Sequence, residues 1–243
     1  PAEIRNAVMR SILARVHDST VAGHAWLGRN RRISSLPSPA LINVGSGVAV
    51  APGWVNVDLG LAAMIAGWPT VLQRMAFKAL PSTSATKQDL TADQFCEVLR
   101  SNRFVHSDIR HGLPFASDSV DALFTSHFVE HLTRSDAEAF FAEALRVVRS
   151  GGVARVCVPD LDHALGLFEE GQSEEALGYF FVNGATSTHT QHRWMWNYTS
   201  LSAALKTAGF ATVRRCAYRE GVTPDLGVLD NRRNETLYVE AVA

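Results

Sequence analysis

Three features of the 243-residue sequence predict an α/β fold built on a doubly wound, mostly parallel sheet of seven strands. Short apolar runs recur along the chain, and most close on a glycine or a polar residue. Stretches with the 3.6-residue period of amphipathic helices lie between them, an alternation that parallel sheets produce. The first run ends in Gly45-Ser46-Gly47, a turn that lets backbone N–H groups approach a ligand closely because glycine has no Cβ in the way. In open sheets of this type ligands sit beyond the carboxyl ends of the strands, so those ends are where a site is expected.

Composition narrows the class. At 47% hydrophobic and 19% charged, the chain has enough apolar content for one large domain, 1–243, with a sizeable core. A net charge of −1 sets up no long-range field for nucleic acid or anionic lipid, so neither is expected as a partner. Cys96, Cys157 and Cys216 are scattered and form no C-x-x-C pair, which predicts a reduced, cytoplasmic chain without disulfides or a zinc site. No signal peptide is visible, and no apolar run reaches the ~18 residues of a membrane span.

In chain order, residues 2–17 carry Ile4, Val8, Ile12, Leu13 and Val16 at helical spacing, and a basic lead-in follows up to residue 39. Leu41, Ile42 and Val44 form the first strand, and Trp54 to Val57 form a second that ends on Asp58. Residues 59–102 read as a helical insertion: 61–80 is apolar and broken at Pro69, and 92–102 is a further helix. The apolarity of 61–80 suits a cap over the site, a homodimer surface or contact with a lipid-bearing substrate. Strand pattern returns at 103–109, past Asp108, and again at 121–128, whose exit loop holds Glu130 and His131. Ser135 to Glu138 reads as a capping box for a helix with Ala137, Phe140, Phe141, Ala144, Leu145 and Val148 on one face, closed by Gly151-Gly152. Residues 153–158 are apolar except Arg155, as in a strand buried on both faces, and stop at Pro159-Asp160. Helices follow at 161–170 and 174–182, and a third, capped by Thr199 or Ser200, ends at Gly209. Strands at 212–218 and 236–242 close the chain, separated by a loop, 219–235, whose length suggests a functional or mobile segment.

Spacing separates two ligand classes. A dinucleotide-binding unit places its acidic residue about 20 residues after the glycine turn, beyond a crossover helix. Here Asp58 follows Gly45 by 13 residues with Pro52-Gly53 between, and Val50 occupies the third glycine position. Asp58 is nevertheless placed to accept hydrogen bonds from a ribose diol.

With these residues in view, the chain resembles the class I S-adenosylmethionine-dependent methyltransferases, in particular the branch with a P-G-W-x-N-x-D second strand. The matching runs are 43–47, 52–58, D-x-R-x-x-L-P-F at 108–115, S-H-x-x-E-H-L at 126–132, 146–152, 158–161 and H-x-x-x-x-N-Y-x-x-L at 192–201. Asn43 departs from the acidic residue many members carry. The resemblance implies a Rossmann-like sheet with an antiparallel last strand and S-adenosylmethionine as cofactor. It places that cofactor on Gly45, Ser46 and Gly47, its ribose on Asp58 beside Leu59, its adenine near Asp108 and Ile109, and its methionine part near Ser126 and His127.

A hydroxyl acceptor needs a base as the methyl is transferred, and histidine suits neutral pH. His127, His131, His163, His189 and His192 are the loop candidates. His127, at a strand's carboxyl end, and His192, beside Trp194, Trp196 and Tyr198, are favoured, with Asp160 at the same edge. Glu130 is expected to pair with a histidine or a backbone amide. The aromatics suggest a sugar-binding wall, hence an O-methyltransferase acting on a carbohydrate or glycolipid. The alternatives are a cofactor-binding module without chemistry and a methyltransferase for another small molecule. Asp160, Asp162 and His163 would offer Mg2+ its ligands, but an aspartate before a helix is ordinarily its N-cap, and no metal is assigned.

Overall fold

The computed structural model describes residues 18–30, 32–80, 85–181 and 191–243; the helix expected at 2–17 lies outside them. Seven strands form one sheet: β1 (Leu41–Val44), β2 (Val55–Asp58), β3 (Arg103–His106), β4 (Val120–Ser126), β5 (Val148–Pro159), β6 (Thr212–Cys216) and β7 (Thr236–Val242). Their order is β3-β2-β1-β4-β5-β7-β6. The first five pair in parallel, whereas β7 runs antiparallel to both β5 and β6. The expected sheet and its reversed last strand are therefore present. Switching direction at β1, with β2 on one side and β4 on the other, leaves a crevice at the carboxyl ends of these strands.

The core explains the continuity of the apolar runs. Ile42 and Val44 of β1, Leu123 of β4 and Val156 and Val158 of β5 are buried with Phe140, Phe141 and Ala144 of the helix that follows β4. A second cluster sets Trp54 against Phe124 and Tyr238 on the sheet.

A helix, α1, covers 18–27. The insertion after β2 is helical, as expected: α2 (Leu61–Ile65), α3 (Thr70–Ala79), α4 (Ala85–Asp89) and α5 (Ala92–Ser101). Pro69 breaks it as the sequence implies, sitting at the N-cap of α3. Gln73 then ties α3 to α2 by donating to the carbonyls of Ile65 and Ala66. Trp68, Val71, Leu72 and Met75 remain exposed, Val71 by 70% and Met75 by 62%.

The helix after β4, α6 (Arg134–Val147), has its N-cap at Thr133, whose hydroxyl accepts from the Asp136 amide, and not at Ser135. Thr133 has the extended backbone an N-cap needs, and Ser135 already lies inside the first turn. At the other end Val148 turns extended and enters β5, so the helix stops at Val147, four residues before Gly151. Downstream come α7 (Leu161–Glu169), α8 (Ser173–Phe180), α9 (Tyr198–Ala208) and the short α10 (Leu226–Leu229). Asn197, not Thr199 or Ser200, caps α9, in a reciprocal box with Ser200, and Gly209 ends the helix in the left-handed conformation.

The long 219–235 loop proves to be anchored. Asp230 and Glu240 flank the guanidinium of Arg155, at 2.5 and 3.4 Å, with all three side chains fully buried. Glu220 and Ala217 carbonyls accept from the same guanidinium, and the Val222 and Thr223 amides donate to Glu240. The one charge in the apolar 153–158 run is thus the peg that fastens this loop to the sheet. No described helix is long and apolar enough to cross a membrane.

Candidate functional site

The glycine turn leaves β1 and folds back on β2. Gly45 and Gly47 take φ of +69° and +50°, values open to glycine but costly to other residues. The Gly45 amide donates to the Val57 carbonyl, and the Gly47 amide donates to Asp58 at 2.8 Å. The other Asp58 oxygen accepts from Gly60. Asp58 therefore faces the turn across the carboxyl end of the sheet, half-buried, with its carboxylate on backbone amides that a ribose diol would replace or join. Asn43, buried beneath, is spent on the Ala49 carbonyl and Asn56.

The remaining positions assigned to the cofactor line the same edge. Leu59 follows Asp58, and its carbonyl accepts from His106 Nε2 at 2.8 Å. Ser46 is buried and Ser126, at the end of β4, is half-buried. Asp108 is nearly buried and caps the 3-10 turn holding Ile109, which packs on the core. Both its oxygens are engaged by the Arg110 guanidinium, which outweighs the upward push of burial and holds the carboxyl below its usual range. An adenine amino group would meet this ion pair rather than a free carboxylate.

Four side chains that the sequence scatters come together beyond β4. His127 leaves the strand with φ of +50°, in the left-handed region, and its Nε2 lies 3.0 Å from the Thr236 hydroxyl. Its Nδ1 is 3.5 Å from Glu130 Oε1. Glu130 is fully buried, and neither carboxylate oxygen has a hydrogen-bond partner. His131 Nε2 lies 3.9 Å from the same oxygen, while its Nδ1 donates to the Gln191 carbonyl. Burial, first among the influences on it, pushes the His131 imidazole below the usual histidine range. His192 stacks at a tilt 5.1 Å from His131, and its Nδ1 donates to the Tyr179 carbonyl at 2.6 Å. The 190s segment is held here by the backbone: the Arg193 and Trp194 amides donate to the Glu130 carbonyl. His127 and His192, chosen separately from sequence, thus flank one carboxylate. The expected approach of a histidine to Glu130 is present in His127 and His131, whereas the arrival of His192 beside them was not legible, because it lies 61 residues beyond His131.

The neighbouring candidates are engaged elsewhere, Asp160 in the N-cap that its place before a helix implies. Asp160 caps α7 through the Asp162 amide and pairs with Arg215 at 2.8 Å, and Asp162 accepts from Asn197. His163 stands edge-on to Tyr179. Asp160 and Asp162 are thus engaged by protein partners, and among the described residues these three do not gather as cation ligands. Trp196 is buried edge-on against Phe141, and Tyr198 opens α9 with its hydroxyl on the Val213 carbonyl. Only Trp194 of this aromatic group is open to solvent, with the Arg134 guanidinium 5.2 Å above its ring. His189 lies outside the described residues.

Residues 76–156 match the family model described as "Methyltransferase domain". Among curated proteins there is no match. Solved structures of similar arrangement include a SAM-dependent methyltransferase from Archaeoglobus fulgidus, at 13% identity and a TM-score of 0.47, covering 95% of this chain and 94% of that one. Another, from Thermotoga maritima, has 13% identity and a TM-score of 0.45, with 99% and 94% covered. A third is the apo form of the S-adenosylmethionine-dependent methyltransferase SibL, at 16% identity and a TM-score of 0.47, with 95% of this chain and 55% of SibL covered. The chain spans about half the length of several other structures it matches.

Proposed function

We propose that this chain is a class I S-adenosylmethionine-dependent methyltransferase that O-methylates a small-molecule hydroxyl, with a carbohydrate or glycolipid as the preferred acceptor class. The observation that carries the reading is the cluster of imidazoles, His127, His131 and His192, around buried Glu130 beyond β4, the strand next to β1 and its glycine turn. Gly45, Ser46 and Gly47 cradle the cofactor, Asp58 and Leu59 its ribose, Asp108 and Ile109 its adenine side, and Ser126 its methionine end. The cofactor supplies an activated methyl on sulfur; the protein aligns the acceptor oxygen with it and removes a proton.

His127 is the base in this reading. With Nδ1–H turned to Glu130, its Nε2 carries the lone pair, and the Thr236 hydroxyl already sits on that nitrogen at 3.0 Å. An acceptor hydroxyl taking the place of Thr236 would give up its proton there. His192 stands beside His131 in the same cluster, and Asp160 holds the edge in place through α7. Trp194 offers an open ring for a sugar face, and the exposed Val71, Leu72 and Met75 of α3 suit the lipid part of a glycolipid. A second copy of the chain on that α3 face is the competing use of it.

Methyl transfer from S-adenosylmethionine to a panel of sugars, glycolipids and simple phenols tests the proposal. His127→Ala is expected to lower kcat by about 10²–10⁴-fold while S-adenosylhomocysteine binds as before. Unchanged turnover in His127→Ala removes the base. Met75→Glu should raise KM for a lipid-linked acceptor and leave the free sugar unaffected; a shift to monomer in sedimentation instead would assign the face to a dimer.

A further inference from the structure

We propose that Glu130, His131 and His192 form a binding site for a divalent transition metal of the zinc class. One ligating atom from each lies within 4.8 Å of the other two, and among the described residues no other such group occurs. Two independent features make this more than a meeting of polar side chains. The first is tautomeric. The Gln191 carbonyl accepts from His131 Nδ1 at 3.2 Å and the Tyr179 carbonyl accepts from His192 Nδ1 at 2.6 Å, so each ring keeps its proton on Nδ1 and turns an Nε2 lone pair inward. That backbone-carbonyl support is what orients metal-binding histidines. The second is the carboxylate: Glu130 is fully buried, yet neither oxygen has a hydrogen-bond partner. Unpartnered burial of such a group is costly, and a cation among the three donors would relieve it.

The donor set decides the metal. Two imidazole nitrogens and one carboxylate oxygen suit zinc and its first-row neighbours, whereas magnesium prefers oxygen throughout. At zinc–ligand distances of about 2.0–2.2 Å the donors must close to roughly 3.4 Å of one another. Side-chain rotation in the half-buried histidines supplies that movement. Three protein ligands leave a position open. If the methyl-transfer reading holds, the acceptor oxygen takes that position and its pKa falls, with His127 still at hand for the proton. The missing C-x-x-C pair, which argued against zinc, has no bearing on a histidine–carboxylate site.

Metal binding is measured apart from turnover. The chain is stripped with chelator and titrated with Zn2+ by calorimetry, then with Co2+ while the visible bands are followed. One equivalent is expected, with X-ray absorption showing two imidazoles and the remaining donors oxygen. Glu130→Gln and His192→Ala should each lose the uptake while S-adenosylhomocysteine still binds; His163→Ala should bind metal as the parent does. No uptake by the stripped parent chain, a sulfur-containing or all-oxygen shell, or loss of uptake in His163→Ala would overturn the site. A chain that takes up zinc as described but methylates nothing leaves this site standing and rejects the methyl-transfer reading alone.

Discussion

Gly45 shows how much one position can decide. A Cβ built there would come within 2.3–2.6 Å of the Phe128 ring, and the residue's φ of +69° is one that L side chains rarely adopt. Gly45→Ala should therefore push Phe128 away and strain the turn, costing about 1–3 kcal/mol and weakening S-adenosylhomocysteine binding in calorimetry. Gly47 meets nothing within 4 Å, so Gly47→Ala keeps the packing and bears only the backbone strain. A smaller loss of stability there, with binding affected through the turn alone, would separate the two effects; equal losses would discard the Phe128 explanation. The need for glycine was legible in the sequence, since a turn between two apolar runs advertises it. Its cause at Gly45, a ring 83 residues away, was not. The same contrast holds for Asp160, whose capping role is written beside its helix, while its partner Arg215 is set by the sheet.

At the scale of elements, backbone breakers read true, whereas the helix caps at Thr133 and Asn197 lie two or three residues before the positions the sequence offered and the long-range restraints left no sign. Pro69 broke the insertion and Gly209 ended α9 as expected, because both act on their own backbone. That the 219–235 loop is held to the sheet was not legible, because what restrains it is Arg155, a charge seated 65 residues before Glu220. That guanidinium uses its donors on Asp230, Glu240 and the carbonyls of Ala217 and Glu220, so the loop and β5 share one polar core. Asp230→Ala should leave Arg155 buried with its main partner gone and lower stability by about 3–5 kcal/mol. Denaturant unfolding checks it, and proteolysis should first cut between residues 219 and 235. A loss under 1 kcal/mol would mean that Glu240 and the carbonyls satisfy Arg155 without Asp230. The aromatic run at 194–198 divides: Trp196 is buried and Trp194 is open to solvent although two-residue spacing would put both on one side, a split that spacing alone does not reveal.

The whole molecule carries these local choices into its response to acid. Burial alone would raise the Glu240 carboxyl, but hydrogen bonds from Arg214 and from the Thr223 and Val222 amides hold it at about 2. The Asp121 and Glu143 carboxyls are also lowered, chiefly by Arg149 and Arg146. For such groups the unfolded chain binds protons more readily than the folded one. Their stabilisation is complete above the ordinary carboxylate range near pH 4.5 and drains away as pH falls towards 2. For Glu240 alone the amount is on the order of 3 kcal/mol. His106 adds an earlier stage. Burial is the main cause of its lowered value, so below about pH 6.5 the unfolded chain takes a proton that the folded chain resists. Stability measured in chelator, so that no metal contributes, should therefore decline gently from pH 7 to 5 and steeply below 4.5. Glu240→Gln should start from a lower stability at pH 7 and lose less of it between pH 4.5 and 2. A parent curve that stays flat to pH 3 would mean these carboxylates are no better held in the folded chain than in the unfolded one. The polar core at Arg155 would then be a cost that the apolar core has to cover.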